Sequence, residues 1–198
     1  WTFHLTTTGK QERAGARIAL WYSRSSVEHE VLTWTVTDTL VVNGREIGRD
    51  NRGPQFPNIA PRDAESTVVG SMKVTQPLVL YALWPHMHSR GRDVRFVLED
   101  SKGREETLLS VPRYRFGWQF TYELAAPLKI PAGSTIKAIA HYDNSAMNAE
   151  NPDPNQEVAW GPQATDEMFD PFLEFAFDRP LTMQQRPSEL RQPSPFPE

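Results

Sequence analysis

The chain has 198 residues, a net charge of −4 and no cysteine, which excludes disulfides, thiolate ligands and cysteine nucleophiles. Hydrophobic residues make up 38% and aromatics 11%, enough for a substantial core and too much for wholesale disorder. Acidic and basic residues are interspersed without a long basic stripe, and no run of about 18 apolar residues occurs, so neither a nucleic-acid partner nor a membrane span is expected. The chain starts at Trp1 with no initiator methionine or signal-peptide pattern, as expected of a processed product or a piece of a longer polypeptide.

Taken in chain order, residues 2–8 alternate and are rich in β-branched and aromatic types, which predicts a strand. Residues 16–23 and 30–40 predict two more. Asn43-Gly44 between apolar residues predicts a hairpin within 41–47. Residues 50–63 hold Gly, Pro and Asn without periodicity and are expected to be a loop. Strand character resumes over 65–74, 77–83 and 93–98. A turn is expected at 100–103, followed by strands at 106–111, 117–124 and 135–142.

Residues 168–177 alternate with aromatics and predict a closing strand, with Pro171 marking an edge or a strand start. No helical period is sustained over a dozen residues. The pattern is all-β, of the kind that builds a sandwich. Residues 179–198, rich in Pro and Gln, are expected to form an extended arm. The domain reading is therefore N-terminal strands over 1–59, a β-sandwich core over 60–178 and a Pro-rich tail over 179–198.

Chemistry concentrates at His86-Met87-His88, which follows the apolar run 77–83. On a strand, residues i and i+2 share a face, so the two imidazoles form a bidentate clamp for a borderline or soft transition metal. The best third donor is Met168, in Asp166-Glu167-Met168. A thioether beside two imidazoles suits copper far better than magnesium or calcium. Met87 should point to the opposite face and pack. Asp166 and Glu167 could hydrogen-bond the chain around the site, and His141, with Asp143 nearby, is a candidate to orient a ligand or to be a structural histidine.

His29, between two glutamates, reads as a solvated loop residue. Asn151, Asp153 and Asn155 alternate like a calcium loop, but Gln156 stands where such a loop wants glycine, and proline turns explain the spacing equally well. Trp84, Trp118, Tyr122, Trp160 and Phe169 are expected in the core or at a pocket rim.

A longer succession follows the histidines. It runs through residues 85–92, then Phe116-Gly117-Trp118-Gln119, Tyr122, Ile130-Pro131-Ala132-Gly133-Ser134 and His141-Tyr142-Asp143-Asn144-Ser145. It ends on Asn151-Pro152-Asp153-Pro154, Trp160-Gly161 and Asp166-Glu167-Met168. This succession resembles the C-terminal domain of the copper type II, ascorbate-dependent monooxygenases, the family of peptidylglycine α-hydroxylating monooxygenase and dopamine β-hydroxylase, and looks most like its bacterial members. The resemblance covers residues 60–178 well and the first 60 more loosely.

It implies a jelly-roll β-sandwich with one copper on His86, His88 and Met168. It further implies dioxygen activation and C–H hydroxylation of a small-molecule or peptide-like substrate, with ascorbate or another reductant, in a periplasmic or extracellular setting. Family members hold a second copper on three histidines of a preceding domain. Phe3-His4-Leu5 resembles the surroundings of the last of these, which makes His4 an orphan ligand, residues 1–59 a remnant of that domain, and an upstream domain or partner chain an expected companion. The alternatives are a non-catalytic β-sandwich subunit, a copper-binding module of a larger assembly, or a carbohydrate- or protein-binding sandwich without metal.

Overall fold

The computed structural model describes residues 8–178 apart from 14, 16, 26, 28, 51 and 52. The expected strand at 2–8 (Thr8 excepted), His4 and the arm at 179–198 lie outside the described residues. Every regular element among the described residues is a strand: β1 (Leu32–Thr35), β2 (Thr39–Val42), β3 (Arg45–Glu46), β4 (Arg49–Asp50), β5 (Gly53–Pro54), β6 (Ser66–Lys73), β7 (Leu78–His86), β8 (Gly91–Glu99), β9 (Glu105–Val111), β10 (Tyr122–Ile130), β11 (Thr135–Tyr142) and β12 (Asp170–Phe177).

Two antiparallel sheets result, one ordered β1-β12-β7-β10 and the other β3-β2-β6-β11-β8-β9, beside a two-stranded ribbon of β4 and β5. Setting aside the short β2–β3 hairpin, the eight remaining main strands split into two interleaved sets of four, β1-β12-β7-β10 and β6-β11-β8-β9. The chain crosses between the sheets at nearly every connection, which is the jelly-roll arrangement of a β-sandwich.

Period-2 alternation is what selects these strands. In β11 the side chains of Ile136, Ala138, Ala140 and Tyr142 are buried, while those between them face outward. In β6, Ser66, Val68, Gly70 and Met72 take the inner positions. The inner faces meet in one core that includes Leu80, Leu83, Phe96, Ile136, Leu173 and Phe175. The hairpin at 43–44 forms as expected: Asn43 at φ 48° and Gly44 at φ 79° supply the two positive φ values of a tight primed turn.

Four expectations need correction. Residues 17–23 form no strand, and Ile18, Leu20, Trp21 and Tyr22 stand in solvent. Propensity without pairing does not make a strand. The stretch 30–40 is two strands, because the chain leaves one sheet after Thr35 and enters the other at Thr39. The loop at 50–63 contains part of the β4–β5 ribbon. The strand expected from 117 begins only at Tyr122.

Pro171 lies at the start of β12, as one of its two readings anticipated, but β12 is interior to its sheet. It sits opposite Pro85, so neither ring needs to donate to the other strand. Leu32–Thr35 pairs with β12 and Thr39–Val42 with β6, so the sheets run without a break across residue 59/60.

Candidate metal centre

Strand β7 delivers Pro85 and His86 to one end of the sandwich, and the turn 87–90 then returns the chain into β8. Only His86 belongs to the strand; His88 lies past its end. The turn is drawn tight. Met87 is buried, and a Cβ on Gly91 would lie 2.9 Å from both Met87 Cβ and Tyr114 Cδ1, so the approach requires glycine. The buried Tyr114 hydroxyl donates to the Met87 carbonyl (2.6 Å) and accepts from the Met87 N–H (2.9 Å). Burial pushes this phenol well above its ordinary range, so it stays protonated and can do both.

Glu167 joins this turn to the segment that leads into β12. It is fully buried, and its carboxylate accepts the N–H of His88 (2.9 Å), of Arg90 (2.6 Å) and, at a longer 3.4 Å, of Met168. The Arg90 guanidinium lies 4.0 Å away, donates to Asn144 Oδ1 (2.9 Å) and to the Thr165 carbonyl (2.9 Å), and is itself buried. Burial pushes the Glu167 carboxyl from its ordinary 4.5 up to about 7, against the pull of those N–H groups and of Arg90. Burial likewise lowers Arg90, and Glu167, Asp166 and Asp153 pull it back. Tyr142, reaching in from the opposite sheet, donates to the Met168 carbonyl (2.8 Å).

These supports bring the three expected donors together. His86 Nε2 lies 3.3 Å from Met168 Sδ, and the His86 and His88 rings stand edge to face at 5.3 Å and 86°. His86 Nδ1–H donates to Gln119 Oε1 (2.6 Å), and the Gln119 amide is oriented by its own donation to the Phe116 carbonyl (2.8 Å). His88 Nδ1–H donates to the Asp166 carbonyl (3.0 Å). With both Nδ1 protons held by oxygen, the lone pair of each ring sits on Nε2, the arrangement that metal-binding histidines use. Phe116 meets the His88 ring edge-on at 5.3 Å.

The donor types, two imidazoles and a thioether, suit one soft or borderline metal ion. Ligand bonds of about 2.0–2.3 Å in a tetrahedron put neighbouring donor atoms about 3.5 Å apart, close to the 3.3 Å between His86 Nε2 and Met168 Sδ. Among the described residues no cluster of three or more His, Asp or Glu side chains could hold a metal, so a harder, oxygen-rich site has no counterpart there.

The remaining sequence candidates fall elsewhere. His141 lies on the outer face of β11, where Asp93 of β8, its register partner, accepts its Nδ1–H at 2.6 Å. The Asp143 carboxylate accepts the Ser145 N–H instead of touching His141. Asp166 turns its carboxylate to the Gln163 N–H and contributes its carbonyl to His88. Asn151 and Asp153 cap the N–H groups of Asp153 and Asn155, and Asn155 Oδ1 accepts two bonds from the cationic Arg62, so this stretch is a series of turns with a guanidinium against it. His29 is exposed.

No family model matches the chain, and no curated protein does. Among solved structures it is similar to a GH26-CBM35 β-(1,4)-mannanase of Podospora anserina, at 14% identity and a TM-score of 0.31, covering 77% of this chain and 29% of that one. It is similar also to the CBM35 of Abf62 from Cellvibrio japonicus, at 13% identity and a TM-score of 0.31, covering 74% of this chain and 92% of the module. A family 35 carbohydrate-binding module from an environmental isolate gives 10% identity, a TM-score of 0.30 and coverages of 82% and 98%. Overlaps at this TM-score say nothing of a ligand.

Sequence reasoning did not single out Gln119, Tyr114, Tyr142 or Asp170 as parts of the centre. Asp170 is the cross-strand partner of His86, and burial pushes its carboxyl up while His86 pulls it back. Gln119 stands in one of the stretches that carry the resemblance, yet its type and position, 33 residues from His86, assign it no role.

Proposed function

We propose that this domain binds one copper ion through His86, His88 and Met168 and serves a monooxygenase-type reaction in a periplasmic or extracellular setting. The observation that carries the reading is the 3.3 Å approach of Met168 Sδ to His86 Nε2, from residues 82 apart in sequence and within a turn that also holds His88. Reduced copper bound there would supply dioxygen activation for hydroxylation of a substrate C–H, with electrons from ascorbate or another external donor. Gln119 and the Asp166 carbonyl hold the imidazole protons on Nδ1 and so aim both Nε2 lone pairs. The Met168 thioether biases the set toward Cu(I). Glu167 and Tyr142 fix the backbone from which Met168 projects, and Phe116 shields one edge of His88.

A second reading, a copper-binding module without turnover, draws on the placement of the other histidines. Among the described residues, His29 is exposed and His141 lies on an outer sheet face, so neither joins a second metal group.

Copper content after loading and dialysis tests the site in wild type, His86→Ala and Met168→Ala. One copper per chain is expected in wild type, with loss in the histidine variant and weaker retention, most marked for Cu(I), in the methionine variant. Wild-type protein that retains no copper would overturn both readings. Oxygen uptake by the loaded protein with ascorbate and candidate substrates then separates the enzyme from the module.

A further inference from the structure

The sandwich carries a recess at the end remote from the histidines. Strand β7 runs from Leu78 to His86, and β12 sets Phe177 opposite the first and Asp170 opposite the second. Eight steps of about 3.3 Å put the two ends roughly 26 Å apart. At the Leu78 end lies a cavity of about 150 Å³, lined from both sheets. Its walls are core side chains, Met72 of β6 from one sheet and Leu78, Phe175 and Phe177 from the other. All four are buried, and the half-buried Trp34 of β1 completes the lining.

The mouth is polar, and donors prevail in it. Lys73, Thr75 and Gln76 line it from the end of β6 and the connection to β7, facing the carboxylate of Asp38 on the crossover from β1 to β2. Lys73 is exposed, and its ammonium has no ion-pair partner among the described residues. The connection is pinned: the Val74 N–H donates to the Ser134 carbonyl (2.9 Å), the Val74 carbonyl accepts from Gly133 (2.8 Å), and the Asp178 N–H donates to the Pro77 carbonyl (3.0 Å). Apolar walls with a few fixed polar groups are the build of a small-molecule site.

Volume sets the occupant. An apolar cavity of about this size takes one benzene molecule, six carbons in all. We propose that this cavity binds a short aliphatic carboxylate of about six carbons, with its chain among Met72, Leu78, Phe175 and Phe177 and its carboxylate at Lys73. The binding needs no metal and stands apart from the copper reading.

The test is an NMR titration of the metal-free full chain with hexanoate, read at the Trp34 indole N–H, with Trp34→Phe to assign the signal. Saturable binding is expected with a dissociation constant on the order of 1 mM, within reach of eight heavy atoms. From butanoate to hexanoate each added methylene should tighten binding about threefold to fourfold. That gain should stop beyond heptanoate, when the cavity is full. Lys73→Gln, at an exposed position that the fold does not depend on, should weaken hexanoate about fivefold and leave 1-hexanol unchanged. Asp38→Asn should bind hexanoate at least as tightly as the wild type. The His86 and His88 ring signals should stay in place throughout, since the metal centre lies at the other end of β7.

Absence of saturation at Trp34 would overturn the proposal, as would hexylamine binding more tightly than hexanoate or a Lys73→Gln variant matching the wild type. So would movement of the His86 and His88 signals in place of Trp34. A gain per methylene that continues through decanoate would also overturn it, being the mark of adsorption on an open apolar surface.

Discussion

Replacing Glu167 by Leu removes an acceptor on which the centre's geometry depends. The N–H groups of His88 and Arg90 then remain buried without their carboxylate, and the Arg90 guanidinium loses its nearest anion. Each unsatisfied donor costs about 1–3 kcal/mol, and release of a buried carboxylate from its desolvation offsets part of the total. The expected net loss is about 3 kcal/mol, a large share of the 5–15 kcal/mol that typically holds such a domain together.

Glu167→Gln keeps one acceptor oxygen and buries no charge, so it should lose only about 1 kcal/mol. Urea unfolding reads both variants, with the slope compared to confirm that the folded and unfolded states are otherwise alike. The wild type should also show a pH signature. The folded-state carboxyl, at about 7, lies above its ordinary 4.5. Between these values the folded protein holds a proton that the unfolded chain has released. This group therefore raises stability as pH falls from 7 toward 4.5, by up to about 3 kcal/mol, and the gain is lost as pH climbs through 7. The Gln variant should lack that slope. A Leu variant within about 0.5 kcal/mol of wild type would refute the account of Glu167 as the group joining the two segments.

Tyr114→Phe strips two buried hydrogen bonds from Met87; a loss of about 1–3 kcal/mol is expected by thermal or urea unfolding, with copper stoichiometry unchanged. Gln119→Leu takes away the acceptor of His86 Nδ1–H; copper affinity measured by chelator competition should fall about 10–100-fold, and nitrogen-15 spectra of the metal-free protein should show a mixed His86 tautomer where the wild type shows one. His141→Ala breaks a partly exposed pair with Asp93; the effect should stay within about 1 kcal/mol, and metal content should not change. Loss of copper in that variant would contradict its placement on the outer sheet face.

The fold was legible wherever alternation and turn chemistry agreed. The 135–142 run is strand β11 residue for residue, and Asn43-Gly44 makes the hairpin its φ requirement dictates. Residues 16–23 are rich in β-prone types and form no strand over 17–23, because propensity reports how a segment would sit in a sheet and not that it pairs with one. Residues 117–121 misled in a different way. Their aromatic content suggests a strand, but the segment bends around the centre with Gln119 inward and Trp118 and Phe120 outward.

The three candidate donors were picked by residue type, because only a few side chains bind soft metals, and the structure sets two of them, His86 Nε2 and Met168 Sδ, 3.3 Å apart. Their supports were not. Glu167, Tyr114 and Gln119 act through backbone and side-chain contacts across 27 to 79 residues of sequence, and one sequence read alone carries no sign of such pairings. His141 shows the converse: Asp143, its neighbour in the chain, plays no part, and Asp93, 48 residues away, holds the ring.

Order of assembly follows from where β1 and β12 meet. Leu32 pairs with Phe175 and His86 with Asp170, so the sheet carrying the histidines is completed only by the last strand described. Contacts of such long range form slowly and late. A chain emerging during synthesis presents His86 and His88 while Met168 and Glu167 are still to be made. Under the proposed function, the full donor set would therefore be complete only late, once Met168 has joined His86 and His88.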